Sequence, residues 1–295
     1  MKKTVIVGAP CKVNLSLDIT GVREDGYHLL RSVMQTVDLF DYLILGPGEF
    51  PGIFIDCDRE QLICDTTNTA YRAAQLFFEH TGIKNPAVHI EIIKNIPMQA
   101  GLGGGSSDAA AALVGLNDLY QAGLSQSELC ALGVRVGADV PFCLRGGTML
   151  CEGVGDIFTD LPALPGCFIL IAKPDTGIST PDSFRRYDRA GKRLHPNTEQ
   201  MMATILSGNL PDLGHEMYNV LEEVCELPQV GLYKSIMLQC GALGAVMTGS
   251  GSAVIGLFDN KRAVRHAHRK LLTHADAVFI TRPVPYGARA VDGKK

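Results

Sequence analysis

The stretch IPMQAGLGGGSSDAAAALVGLN, residues 96–117, constrains this 295-residue chain more than any other. Gly101, Gly103, Gly104 and Gly105 permit positive φ and close approach of a ligand to the backbone. A strand is predicted before them (VHIEII, 88–93) and a helix after them, from about Ser107 to Tyr120. Such a loop presents unpaired backbone N–H groups and the positive end of the helix macrodipole, which together accept an anion, phosphate above all. Ser106 and Ser107 stand at the predicted helix start and add hydroxyl donors. Asp108 opposes this reading unless it points away, because a carboxylate in the first turn competes with phosphate for the same dipole.

The common phosphate loops do not fit. No lysine follows the glycines, as a P-loop requires. A dinucleotide fingerprint begun at Gly101 needs glycine where Ser106 stands, and one begun at Gly103 needs it where Asp108 stands, which argues against an NAD(P) oxidoreductase. The glycine loop of protein kinases fails on the same spacing.

The rest of the chain reads as mixed α and β. Residues 4–20 form one or two strands, with Lys12, Asn14, Ser16 and Asp18 alternating against Cys11, Val13, Leu15 and Leu17. Further strands are predicted at 32–45, 53–57, 147–162, 167–174, 244–247, 253–258 and 277–282. Helices are predicted at 68–80, 125–137, 197–207, 229–240 and 260–274. Several strands come in pairs without an intervening helix, which favours an α+β arrangement over a doubly wound sheet. The segment LPALPG (161–166) is the best boundary, dividing the chain into 1–162 and 163–295.

A formal net charge of −4 gives no overall field for nucleic acid or an anionic membrane, and no apolar run is long enough to span a bilayer. The basic run KRAVRHAHRK (261–270) is read as a solvated helix, with its basic residues falling all round. Nine cysteines without CxxC spacing point to free thiols, a reducing cytoplasm and no zinc site.

Three isolated features stay open between structural and functional roles: Lys12 on its strand, Asp139 in GADVPF, and a second glycine cluster in MTGSGSAVIGLF (247–258). Taken together they resemble the three motifs of the GHMP kinases, a family of small-molecule kinases. PCKVNLSLDI is similar to the first motif, PMQAGLGGGSSDAAAAL to the second and GAVMTGSGSAVIGLF to the third. Gln99 and Ala100 stand where that family often has glycines. REDGYHLL, TTNTAYRAA, GADVPFCLRGG and ISTPDSF resemble the branch that acts on a cytidine diphosphate-linked methylerythritol in the non-mevalonate route to isoprenoid precursors.

The resemblance implies an N-terminal domain like domain 2 of ribosomal protein S5 and a ferredoxin-like C-terminal domain, with the site between them. It implies transfer from ATP, with Mg²⁺, to the 2-hydroxyl of the substrate. Lys12 and Asp139 would be catalytic. Asn68, Lys94, Pro97, Gly101, Leu102, Gly103, Gly104, Gly105, Ser106 and Ser107 would bind ATP, with Asn68 and Lys94 at the adenosine end. Asn14, Tyr27, His28, Thr180, Pro181 and Phe184 would bind the substrate, with Tyr27 and Phe184 sandwiching the cytosine. No metal ligand is clear, although Ser107 is a candidate. A soluble monomer or weak homodimer is expected, binding neither nucleic acid nor membrane. The alternatives are a GHMP kinase for another alcohol and a nucleotide-binding module without catalysis.

Overall fold

The computed structural model describes residues 4–191 and 194–291. The first two strands, β1 (Val5–Asn14) and β2 (Ser16–Val22), lead into β3 (His28–Pro47), a 20-residue strand around which the larger sheet is built. β4 (Gly52–Cys57), α1 (Thr69–Thr81), β5 (Ala87–Ile93) and α2 (Gly104–Leu119) follow. Next come α3 (Gln126–Val136), α4 (Val140–Arg145), β6 (Thr148–Gly153) and β7 (Ile157–Leu161).

The later part of the chain contains β8 (Phe168–Lys173), α5 (Thr180–Arg189), α6 (Thr198–Ser207), α7 (Leu210–Glu216) and β9 (Tyr218–Asn219). It closes with α8 (Pro228–Gln239), β10 (Gly244–Met247), β11 (Val254–Phe258), α9 (Lys261–Leu271), β12 (Ala277–Thr281) and β13 (Arg289–Ala290). The α+β expectation holds.

The nine-stranded sheet gathers its strands around β3, whose first half pairs with β2 and β6 and whose second half pairs with β1 and β5. The four-stranded sheet is antiparallel in the order β10-β11-β8-β12. With α8 and α9 as crossovers, that is the β-α-β-β-α-β pattern of a ferredoxin-like unit. Alternation along β8 shows how the layers meet. Leu170 and Ala172 pack with Val264, Ala267 and Leu271 of α9, while Ile169 and Ile171 face a second core shared with Val13 and Leu15 of β1. β9 and β13 return to the larger sheet, so the later part of the chain contributes edge strands to the earlier part.

Local signals account for most helix ends. Asn68 caps α1 through its side chain, and Gly82 ends that helix in the left-handed region. Ser125 and Glu128 form a reciprocal capping box on α3. Two readings need correction. α2 begins at Gly104, not near Ser107, because glycines are tolerated in a first turn whose helix is held by packing. The basic residues of α9 do not fall all round, since Val264, Ala267 and Leu271 keep one buried stripe free of charge.

Candidate active site

An open cleft of about 1190 Å³ runs between the two sheets, and the glycine loop forms one wall. Gly103, at φ +68°, is the N-cap of α2, and the first backbone bond of the helix is Ser107 N–H to Gly103 O at 2.8 Å. The N–H groups of Gly104, Gly105 and Ser106 therefore lie in the first turn, where the α-helical pattern offers no acceptor. All three residues line the cleft. The alanines at 109–112 are fully buried, which lets α2 lie close against the sheet and fixes where its N-terminus points.

The second glycine cluster is the turn between β10 and β11, and it interlocks with the first. Ala253 N–H donates to Ala100 O at 3.1 Å, and a Cβ on Gly101 would stand 2.1 Å from Thr248 O. Gly101 has φ +75°, so both space and backbone conformation require glycine. Thr248 also accepts the backbone N–H of Asn14 at 2.9 Å, tying this turn to β1.

Lys12 packs against the cradle, its Cγ 2.8 Å from where a Cβ on Gly103 would stand. The alternating polar residues of β1 and β2 are not solvated: Lys12, Asn14, Ser16 and Asp18 are all buried, with Asn14 bonded to Ser32 and Thr248 and Asp18 to His195. Lys12 Nζ donates to Asn14 Oδ1 at 2.8 Å and lies 3.3 Å from Asp139 Oδ2. Asp139 is the residue before α4, with its side chain about 30% exposed. An ammonium and a carboxylate thus share the cleft wall beside an anion cradle, an arrangement suited to moving a phosphoryl group onto a hydroxyl.

Beneath the cradle, Lys94 Nζ lies 2.5 Å from both Asp41 Oδ2 and Asp108 Oδ2, and all three side chains are buried. Burial works against the Lys94 ammonium, but the two carboxylates outweigh it and raise its pKa above the ordinary lysine value. Burial, reinforced by Asp41, pushes the Asp108 carboxyl up to about 8 against the pull of Lys94. Asp41 Oδ1 also accepts the backbone N–H groups of Asn95 and Ile96, holding the entry to the loop.

Comparison with known proteins decides the family. The model of the GHMP kinases N terminal domain matches residues 68–147, and that of GHMP kinases C terminal matches residues 201–277. The 4-diphosphocytidyl-2-C-methyl-D-erythritol kinase of Clostridium kluyveri is 43% identical over 282 residues, covering 95% of this chain and 100% of the relative. That of Caldicellulosiruptor saccharolyticus is 44% identical, covering 94% and 96%. The chain is a GHMP kinase.

A crystal structure of 4-(cytidine 5'-diphospho)-2C-methyl-D-erythritol kinase matches this GHMP kinase with a TM-score of 0.77 at 33% identity, over 95% of this chain and 98% of that one. A homoserine kinase from Cytophaga hutchinsonii reaches a TM-score of 0.80 at 21% identity, covering 99% and 98%, and shares the fold.

Not every expected residue of this GHMP kinase sits as the family resemblance implies. Ser107 is fully buried, and its hydroxyl donates to Pro10 O at 2.8 Å, so neither its N–H nor its side chain faces the cleft. That removes it both as a phosphate contact and as a metal ligand. Asn68 lines the cleft, but its amide caps α1 and donates to Ile63 O. Lys94 lines it too, with its ammonium held by the two carboxylates. Pro97 and Leu102 are in the wall, and Leu102 O accepts the backbone N–H of Lys12.

Of the residues expected to bind the substrate, Thr180 and Phe184 of α5 line the cleft, whereas Pro181 is exposed at the start of that helix and does not. Tyr27 and Phe184 do not face each other. Tyr27 sits in the β2–β3 turn, 65% exposed, and the ring packed on Phe184 is His28, with centroids 4.6 Å apart. His28 Nε2 pairs with Asp188 Oδ1 at 2.8 Å.

The sequence reading missed Asp41 and Thr248. The second aspartate of DLFDYLIL, flanked on both sides by apolar residues, was the available signal for the first, since a charge in a central strand needs a partner. The nine cysteines are free, as expected. Burial pushes the Cys143 thiol up to about 12, which fits a packing role. No helix among the described residues is long and apolar enough to cross a membrane.

Proposed function

We propose that this GHMP kinase transfers the γ-phosphoryl group of ATP to the 2-hydroxyl of 4-diphosphocytidyl-2-C-methyl-D-erythritol, a step in the non-mevalonate route to isoprenoid precursors. The observation that carries the chemistry is the Lys12–Asp139 pair, 3.3 Å apart beside the cradle of Gly103 to Ser106. The substrate is supported by relatives of that name at 43% and 44% identity over nearly the whole chain.

Asp139 takes the proton of the acceptor hydroxyl as its oxygen attacks the γ-phosphorus, and the bond from that phosphorus to the ADP oxygen breaks. Lys12 steadies the charge that gathers on the transferring oxygens, and Asn14 holds Lys12 in place. The first-turn N–H groups of α2 bind the phosphates. Phe184 and His28 offer the aromatic surface on which a pyrimidine can stack, and Tyr27 reaches it by closure of the β2–β3 turn.

Mg²⁺ fits this cleft as an ion carried by the nucleotide. The carboxylates Asp139 and Asp108 each face a lysine, and the Ser106 residue lies on the cleft wall. Magnesium is commonly held by one or two protein groups together with substrate phosphates and water. Ser106 and Asp139 are the residues that would share it, and the ion would offset charge on the β- and γ-oxygens. The division at 162 and 163, a cytoplasmic location and a monomer or weak homodimer belong to the same reading; residues 1–3, 192–193 and 292–295 lie outside the described residues.

The test is ADP release from ATP with the cytidine diphosphate-linked alcohol, with mevalonate or with homoserine as acceptor. Turnover is expected with the first. Turnover confined to mevalonate or homoserine would overturn the substrate assignment.

A further inference from the structure

Among the described residues, three cationic side chains line the cleft: Lys12, Lys94 and Lys173. Two already have a counter-charge. Lys12 faces Asp139, and Lys94 is held between Asp41 and Asp108. Lys173 forms no ion pair within those residues. Its Nζ donates to backbone oxygens instead, Pro174 O at 2.6 Å and Asp175 O at 3.4 Å, although the residue is only 7% exposed. An ammonium taken out of water without an opposite charge is costly, and an anion that enters the cleft removes that cost.

The fold holds Lys173 firmly in this place. Along β8, Ile169 and Ile171 face the core shared with β1, and Lys173, two residues on, continues the same row to the cleft wall. β8 lies between β11 and β12, and Asp276 N–H donates to Lys173 O at 3.0 Å, so its backbone is fixed within the sheet. The turn that follows is tied to the second glycine cluster. Ser252 Oγ donates to Thr176 O at 2.6 Å, and Ser183 Oγ donates to Ser250 O at 2.9 Å. Thr180 Oγ1 lies 2.8 Å from Ser250 Oγ. Lys173, Thr180 and Phe184 thus belong to one cross-linked wall of the cleft.

The proposed reaction brings two polyanions into this cleft. The first-turn N–H groups of α2, with Lys12, receive the triphosphate. The diphosphate that joins cytidine to the alcohol needs a cation of its own, the more so because Asp175 and Asp276 share the wall. We propose that Lys173 binds that diphosphate, a role that rests on the cytidine diphosphate reading of the substrate. On binding, Nζ keeps its bond to Pro174 O and exchanges the longer one to Asp175 O for a phosphate oxygen, a shorter charge-assisted bond. Lysine suits the exchange, because its ammonium is a compact charge with rotatable donors on a flexible stem.

The experiment is calorimetric titration of the intact protein with CDP and with cytidine, each in a saturating non-hydrolysable ATP analogue that fills the glycine cradle. Wild type is expected to bind CDP about 10-fold or more tightly than cytidine. Lys173→Met is expected to lose on the order of 10- to 100-fold in CDP affinity, with cytidine affinity changed by less than about 2-fold. Lys173→Gln keeps an N–H donor for Pro174 O and should show the same split. In both variants KM for the cytidine diphosphate-linked alcohol should rise while KM for ATP holds. A purely structural role lowers CDP and cytidine affinity equally, and that result, or an unchanged CDP affinity, would overturn the proposal. Loss of the ATP analogue with CDP retained would place Lys173 at the triphosphate and overturn it too. A wild type that binds CDP no more tightly than cytidine overturns it even if neither variant folds. A wild type that binds the ATP analogue but neither cytidine compound overturns the substrate reading as well.

Discussion

Lys12 Nζ stands 3.3 Å from Asp139 Oδ2, joining a β1 residue to the residue before α4 across 127 positions of sequence. Neither side chain is explained by packing alone, since a buried ammonium and a carboxylate about 30% exposed both line the same cleft. Asp139→Asn keeps the shape and removes the proposed base. It is expected to lower kcat by about 10²–10⁴, the usual contribution of a positioned base, with ATP affinity nearly unchanged. Steady-state kinetics beside a nucleotide-binding titration checks this, and an unchanged kcat would remove Asp139 from the chemistry.

The interlock of the two glycine loops predicts a stability effect far from any ligand. Gly101→Ala places a methyl group 2.1 Å from Thr248 O at a positive φ, so the β10–β11 turn has to shift. The strained backbone alone is expected to destabilise the fold by about 1–3 kcal/mol. Gly166→Ala is the control, with nothing within 4 Å of its new methyl. Thermal melts of the two variants should separate clearly.

Much of this was legible in the chain, and what was not has a physical reason. The βαββαβ unit and most helix ends could be read because period and caps are local properties. The buried state of Asn14 and Asp18 could not, because their partners Thr248 and His195 lie 234 and 177 positions further along the chain. The same holds for Thr248, whose role is to touch Gly101 and Asn14. Ser107 was misplaced because serine at a helix start signals a cap, whereas here the glycines occupy the first turn and rotate Ser107 inward to Pro10.

At the substrate end, Phe184→Ala is expected to raise KM for the cytidine diphosphate-linked alcohol by roughly 2- to 10-fold, from ~0.5–1.5 kcal/mol of lost stacking. ATP affinity should stay the same, because Phe184 belongs to α5 and packs on His28, not to the glycine loop that opens α2. Tyr27→Ala is expected to give a similar rise in KM through closure of the β2–β3 turn, despite the 65% exposure of Tyr27. A change in ATP affinity with the alcohol KM unaltered would place the pyrimidine elsewhere.

The buried acid beneath the cradle also predicts how stability varies with pH. In the unfolded chain Asp108 has the ordinary value of 3.8, and in the folded protein it is pushed up to about 8, by burial first and by Asp41 next. The folded state therefore holds a proton that the unfolded state releases. Its stabilising effect is complete below about pH 4 and is lost progressively as pH rises toward 8. Asp108→Asn carries no titrating group at that position. Relative to wild type, its melting temperature should become steadily more favourable between pH 4 and pH 8 and level off beyond it. Paired melts across that range provide the measurement. A difference that is flat with pH would mean that Asp108 is ionised throughout in the folded protein, with Lys94 compensating both carboxylates.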